Sequence, residues 1–290
     1  MGLRLRFNLI LAMCYLLVLG LSLFPFYELS RHESIVQLQS QIDVLRAQAL
    51  AMRRYTSEEI EPLLDEQTNV QFLPQTVPSF SVQAAFRSFR EYYPEFLYKE
   101  AALNPTNPED IARDSERELI ETLRNHPELD KTVTFRPSEN GPQYTVAYPL
   151  TITDENCLAC HSTPDRAPAS MVALYGNKNG FGWKLNETVG AQIISVPMSA
   201  ADATLWRNLW LFVGVSSAIF LVLLILVNAL LNRYVIRPVT RMAKTAEAVS
   251  LGDSSIAEFE YAGSDEVASL SRSFNRMRRS LDSAMKMLDK

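Results

Sequence analysis

Between Glu155 and Ser162 the chain reads ENCLACHS, which puts two thiols and an imidazole, Cys157, Cys160 and His161, within five residues. Three chemistries use such a set. Paired thiols at this spacing can be bonded to the two vinyl groups of a porphyrin while the adjoining imidazole ligates its iron. Two thiolates can form half of a four-ligand zinc site. A dithiol can cycle with a disulfide beside an incidental histidine, or the two cysteines can simply be bridged.

The order thiol, thiol, imidazole is the one covalent c-type haem requires, although the bare pattern is short. Zinc has few partners to recruit: Cys14 lies in an apolar run, the other histidines are His32 and His126, and no second paired-ligand motif occurs. A thioredoxin-like dithiol belongs between a strand and a helix in a βαβ pattern. The stretch QYTVAYPLTI (143–152) before the motif reads as a strand, but STPDRAPAS after it holds two prolines and no helical period.

A haem iron held by His161 has a sixth position to fill. His126 follows a predicted helix, where an imidazole more commonly interacts with the helix C-terminus. Met52 ends an apolar stripe, where core packing competes with thioether ligation. Both are weak candidates, His32 a weaker one, and an open position would suit a small diatomic gas. Arg53, beside Met52, is a candidate partner for a haem propionate.

These residues must be carried by something, and the apolar residues of the 290-residue chain gather in two blocks. Phe7–Tyr27 and Leu209–Leu231 are uncharged and long enough, at about 1.5 Å per residue, to cross a bilayer. A cleaved export signal is the alternative for the first, which is longer than the usual export core and lacks a clear small-residue cleavage site. Arg4 and Arg6 precede the first block, and Arg233, Arg237, Arg241 and Lys244 follow the second, so both termini are expected on the cytoplasmic side. The motif then faces an extracytoplasmic space, where c-type haem is attached and isolated reduced thiols are less expected. The net charge of −5 is mild and no basic run interleaved with aromatics occurs outside, so nucleic acid is not a partner.

Ile35, Leu38, Ile42, Leu45, Ala49 and Met52 recur at steps of three and four, predicting a long helix packed on a neighbour such as the same helix of a second copy. Thr56 and Glu59 form a capping-box pattern for a further short helix limited by Pro62. Aromatics from Phe86 to Phe96 continue a helical recurrence broken at Pro94. Asn107 and Pro108 read as the cap and first residue of a helix through NPTNPEDIARDSERELIETLRN. KTVTFRP and QYTVAYPLTI alternate as antiparallel strands around SENGPQ, and SMVALYG, GNKNGFGWKLNE and TVGAQIISVPMS predict further sheet. Gly176, Gly180 and Gly182 have the wrong spacing for a dinucleotide fingerprint and should turn the chain near Phe181 and Trp183. The external part is thus a mixed α/β domain with long helices on one side of a small antiparallel sheet.

Beyond the second block, Val235, Val239, Met242, Ala246 and Val249 form one heptad stripe, and Val267, Leu270, Phe274, Met277, Leu281, Ala284 and Leu288 another. Two such helices joined by LGDSSIAEFEYAGSDE predict a parallel four-helix bundle in a homodimer.

With IRPV (236–239), Gly252, DEV (265–267) and FNRM through SL (274–281), the tail resembles the HAMP signal-relay domain. Through RRYTSEEIEPLL, KEAALNPTNPED, CLACHS and NGFGWKLNETVGAQIISVPMS, the external part resembles the c-type haem-binding family of PAS-like bacterial sensor domains. The resemblance implies porphyrin on Cys157 and Cys160, iron on His161, and a PAS-like fold. In that family kinase, cyclase or chemotaxis-type output modules commonly follow the relay; here the sequence stops at Lys290, so the output partner is separate, the natural protein is longer, or the domain handles electrons.

The resulting expectation is a two-pass protein of the bacterial inner membrane: residues 1–6 cytoplasmic, 7–27 the first span, 28–205 the periplasmic haem domain, 206–232 the second span and 233–290 the cytoplasmic relay. The leading reading is a haem sensor passing a redox or small-gas signal to an unidentified cytoplasmic signalling or redox partner. A membrane-anchored cytochrome in electron transfer is the alternative, and a scaffold with a vestigial signalling fold a third. No kinase loop, cyclase module or nucleophile and base pair is legible, so the chain is not expected to be an enzyme and no catalytic residue is assigned.

Overall fold

The computed structural model describes residues 2–138, 141–251, 257–261 and 263–288. Two compact parts emerge, Phe26–Asn208 and the set formed by Met1–Pro25 with Leu209–Lys290.

The first part is built on a four-stranded antiparallel sheet of order β1-β4-β3-β2: β1 Leu97–Ala102, β2 Thr132–Arg136, β3 Gln143–Thr151 and β4 Thr188–Pro197. The sheet pairs Ala102 with Gly190 and Thr151 with Thr188, so β1 and β3 end where β4 begins. The β2–β3 hairpin is the one expected, though Glu139 and Asn140 of its turn lie outside the described residues. β1 was not among the expected strands, and the helix of the aromatic stretch, α3 Pro78–Phe89, stops before Tyr92 and Tyr93, short of Pro94.

Helix α1, Leu3–Tyr55, carries the stripe of Leu38, Ile42, Leu45 and Ala49, and this stripe packs on the chain's own sheet and α3. It meets Tyr98, Tyr144, Val146, Tyr148, Ile194 and Val196, with Ile42 fully covered. The expected second copy is therefore not what buries it. Each such side chain contributes about 1.5–3 kcal/mol of burial free energy. The other face of the sheet is also covered: α4, Asp114–Asn125, lays Leu119, Ile120 and Leu123 on Ala101, Ala147, Ala191 and Ile193. Helices thus cover both faces, not one, because the strands alternate apolar residues to either side.

Several local readings are corrected. The chain stays helical past α1 through a π-turn, Thr56–Ile60, into α2, Glu61–Val70. The Thr56 hydroxyl donates to Met52 O (2.9 Å) instead of capping, and Pro62, which has no N–H to give, sits in the first turn of α2 directly after the π-turn. Asn107 caps only a 3-10 turn, Pro108–Asp110, through Glu109 N (3.2 Å); α4 begins later. The motif forms a short helix, α5 Cys157–His161. Met171 and its neighbours form a helix, α6 Ala169–Tyr175, not a strand, and the glycine-rich stretch is a loop. The chain leaves β4 directly into α7, Ser199–Leu231.

In the second part, the N-terminal run of α1 pairs antiparallel with the apolar run of α7. Asn228 donates to Asn8 (2.8 Å), Tyr15 and Ser217 share a hydrogen bond (2.7 Å), and the Tyr15 and Phe220 rings stack 4.2 Å apart. Small polar pairs of this kind hold helices together where surrounding apolar contacts are indifferent to partner. Both helices are long and apolar enough to cross a membrane. A second π-turn, Asn232–Ile236, leads to α8, Arg237–Ser250, and α9 spans Glu266–Leu288. Asp265 caps α9 by accepting from Ala268 N (2.8 Å). Asn275 holds the connector by accepting from Phe259 N (3.2 Å) and donating to Phe259 O (2.9 Å). Gly252 lies outside the described residues, as do the side chains of Ala284 and Leu288.

Candidate functional site at the end of the sheet

His161 stands at the end of α5, and the loop after β1 and the loop before β4 converge on it at one end of the sheet. Its Nδ1 lies 2.7 Å from the carbonyl oxygen of Gly180, which only a protonated ring nitrogen can approach as a hydrogen-bond donor. That bond places the lone pair on Nε2. Thr106 Oγ1 lies 3.4 Å from the same Nδ1. The Trp183 indole stacks on the imidazole with centroids 3.9 Å apart and planes at 12°, while Trp183 N donates to His161 O (3.2 Å) and Gly182 N to Ser162 O (2.9 Å). The ring is therefore fixed in tautomer, tilt and rotation before any ligand arrives, the arrangement in which a metal-ligating histidine is held through its other nitrogen. Burial pushes the His161 pKa below its ordinary value, and the Gly180 bond works against that shift.

The carbonyl that does this depends on Gly180. Its φ is +81°, and a Cβ there would stand 2.0 Å from Thr106 Oγ1 and 2.8 Å from Thr106 Cα. Asn104 clamps the same turn, accepting from Gly180 N (3.2 Å) and donating to Phe181 O (3.2 Å). Sequence reading placed the glycine turn near Phe181 and Trp183; Asn104 and Thr106 escaped it because NPTNPED was read as a helix start. The signal was the stretch itself, whose two Asn-Pro-like punctuations favour a loop.

Cys157 and Cys160 lie half-buried on α5 as free thiols. Burial raises both pKa values; Asp154 adds to the effect at Cys157, Glu61 at Cys160, and the Arg53 charge opposes it at Cys157. Reactive or metal-binding dithiols are instead pushed downward into the thiolate range. The named strand pairings are all antiparallel, so the motif does not follow a strand of a parallel βαβ unit, the setting a thioredoxin-like dithiol belongs to. Among the described residues no group of three or more His, Cys, Asp or Glu side chains is placed to hold a metal ion, so a closed zinc site is not assembled. A haem would ask instead for an oriented imidazole at its iron, which His161 offers beside two free thiols. Ser162 Oγ, next to His161, is buried without a hydrogen-bond partner among the described residues. These residues are of the kinds that would hold a haem.

The other predicted site residues separate. Arg53, at the end of α1, acts on Cys157 electrostatically while its Nη1 lies 2.5 Å from Glu100 Oε2. Glu100 is buried in β1, accepts from Tyr98 Oη (2.6 Å) and faces Gln192 Nε2 (3.4 Å). Glu61 was not singled out from the sequence; burial, with Asp65 and Asp154 nearby, raises its pKa. Met52 packs against the α1–α3 core and lines a small groove with Phe86 and Phe89. His126 caps α4 at the surface, with Nδ1 3.1 Å from Glu128. No interaction joins His126 to the motif among the described residues.

Fold and site define a mixed α/β domain whose sheet end holds one oriented histidine beside two thiols, in a chain with two candidate membrane helices. A profile of Tll0287-like proteins matches residues 31–197, and the chain belongs to that family. A HAMP domain profile matches residues 230–283. Among solved structures, the crystal structure of the cyanobacterial haem protein Tll0287 is similar at 17% identity and a TM-score of 0.41, covering 55% of this chain and 94% of that one. No curated protein matches the chain.

Proposed function

We propose that the protein is a membrane-anchored c-type haem sensor. The observation that carries this reading is the Nδ1 bond from His161 to Gly180 O (2.7 Å), which leaves Nε2 free to ligate iron one residue after Cys160. Cys157 and Cys160 would hold the porphyrin through thioether bonds and His161 would hold its iron. Such a haem would supply a reversible one-electron couple and an iron that can take a small diatomic ligand. Trp183 and the clamp of Asn104 on the Gly180 turn hold the imidazole still and tie it to the loops on either side of the site. Arg53 stays the candidate for a propionate, and it would share its charge with Glu100. Met52 and His126 remain the candidates for the sixth position. Met52 packs in the α1–α3 core and His126 contacts Glu128, so either would have to leave its present partner to ligate iron.

The family membership of residues 31–197 and the HAMP match at 230–283 support a relay reading over a bare cytochrome. On this reading residues 28–205 lie in the periplasm, 7–27 and 206–232 cross the inner membrane, and 233–290 face the cytoplasm as a homodimeric bundle. The haem state biases one of two packings of α8 and α9, which an unidentified cytoplasmic partner reads. The test is an optical spectrum of the full-length protein in both oxidation states, with and without carbon monoxide, for wild type and His161→Ala. A haem spectrum whose axial bands shift in His161→Ala supports the site; an unchanged spectrum refutes it. Spin-label distances between α9 helices that are identical in oxidised, reduced and ligand-bound protein would refute the relay and leave electron transfer.

A further inference from the structure

Where α1 begins and α7 gives way to α8, Arg4, Asn232, Ile236, Arg237, Thr240, Arg241 and Lys244 line an open recess. Four of these seven are cations and none is acidic. Among the described residues no carboxylate is within ion-pair distance of any of the four. Arg4 donates to Asn232 Oδ1, joining the two helices across the recess, which leaves the Asn232 amide nitrogen as a further donor. Uncompensated cations gathered in one concavity raise the local positive potential and attract an anion.

The place of the recess fixes the kind of anion. Phe7 opens the first apolar run and Leu231 closes the second. Their antiparallel pairing through Asn8 with Asn228 and Tyr15 with Ser217 brings these two ends together. Arg4 therefore stands at the end of the apolar runs, and Arg237, Arg241 and Lys244 follow within about 20 Å along α8, on the side where headgroups would lie. Leu5, Leu9 and Leu230, in the turns beside Arg4 and Asn232, are exposed and offer an apolar surface for acyl chains. Arg237, Arg241 and Lys244 lie on the face of α8 opposite its stripe of Val239, Met242, Ala246 and Val249, the two sets centring roughly 180° apart at about 100° per residue. Packing of that stripe in a helical bundle leaves the basic face open.

We propose that this recess binds the phosphate of an anionic phospholipid headgroup, tying the start of α8 to the lipid composition of the membrane face it meets. The phosphate oxygens take charge-assisted hydrogen bonds from Arg4, Arg237, Arg241 and Lys244, and the acyl chains lie along the spans. This goes beyond the haem reading and stands whether or not haem is bound.

The test uses full-length protein, delipidated in detergent and mixed with equal amounts of phosphatidylglycerol and phosphatidylcholine, with bound lipid counted by native mass spectrometry. Wild type should carry phosphatidylglycerol over phosphatidylcholine by about fivefold or more. Arg237→Gln/Arg241→Gln/Lys244→Gln should bring that ratio close to one. The charge-keeping Arg237→Lys/Arg241→Lys should retain most of it, which separates loss of charge from loss of fold. Arg276→Gln on α9 should leave it unchanged. Equal adducts in wild type, a preference that survives the triple change, or an equal loss in Arg276→Gln or in the lysine variant would overturn the proposal. A parallel arm with pyrophosphate alone distinguishes the source: pyrophosphate adducts together with no phosphatidylglycerol preference would make the ligand a soluble phosphate and overturn the lipid assignment.

Discussion

Ile42 of α1 and Leu270 of α9 occupy the same kind of position, an apolar helix residue in a stripe repeating every three or four residues, yet Ile42 is 0% exposed and Leu270 51%. The sheet domain covers both faces of its own sheet, one with α1 and α3, the other with α4. In the tail, α8 and α9 bury Met242 and Ala268 while Met277 and Leu281 stay exposed. A stripe in a sequence reveals a face that wants covering. It does not reveal whether the cover comes from the same chain, and here the two stripes resolve differently.

Mutations sharpen that contrast. Arg53→Met strands the Glu100 carboxylate inside the sheet domain and should cost about 3–5 kcal/mol, as for any buried pair broken on one side; Arg53→Met with Glu100→Gln should recover much of it, measured by chemical denaturation. Ile42→Ala should cost the same domain about 2–5 kcal/mol by removing buried methyl groups. Gly180→Ala is limited to the site: a Cβ against Thr106 at positive φ should cost about 1–3 kcal/mol, and the haem spectrum should change more than the far-ultraviolet circular dichroism. Leu270→Ala should move the unfolding of the sheet domain by less than about 0.5 kcal/mol while reducing disulfide cross-linking between cysteines placed on α9 of two copies. A loss of domain stability from Leu270→Ala comparable to that from Ile42→Ala would erase the distinction between the two regions.

Much of this was legible in the residues. Cys157, Cys160 and His161 stood out by their order as the candidate site, and the β2–β3 hairpin, β4 and the apolar runs followed from alternation and length. What was not legible depended on contacts distant in sequence. LYKEAA of β1 has good helix formers, and only pairing with β4 makes it a strand. The Asn107 cap was real but served a single turn. Met171 sits in a short apolar run that period alone cannot assign. The hold on His161 is made by residues 55 positions before it and 19 after it, so no local pattern could show that Thr106, Gly180 and Asn104 form one clamp.

The measurement that bears most directly on the central claim is the intact mass of full-length protein expressed with a c-type haem attachment system. The account predicts a chain heavier by one haem that stays bound through acid-acetone extraction, and a bare chain for Cys157→Ala/Cys160→Ala. A wild-type mass equal to the polypeptide alone, or colour that extraction removes completely, would contradict it.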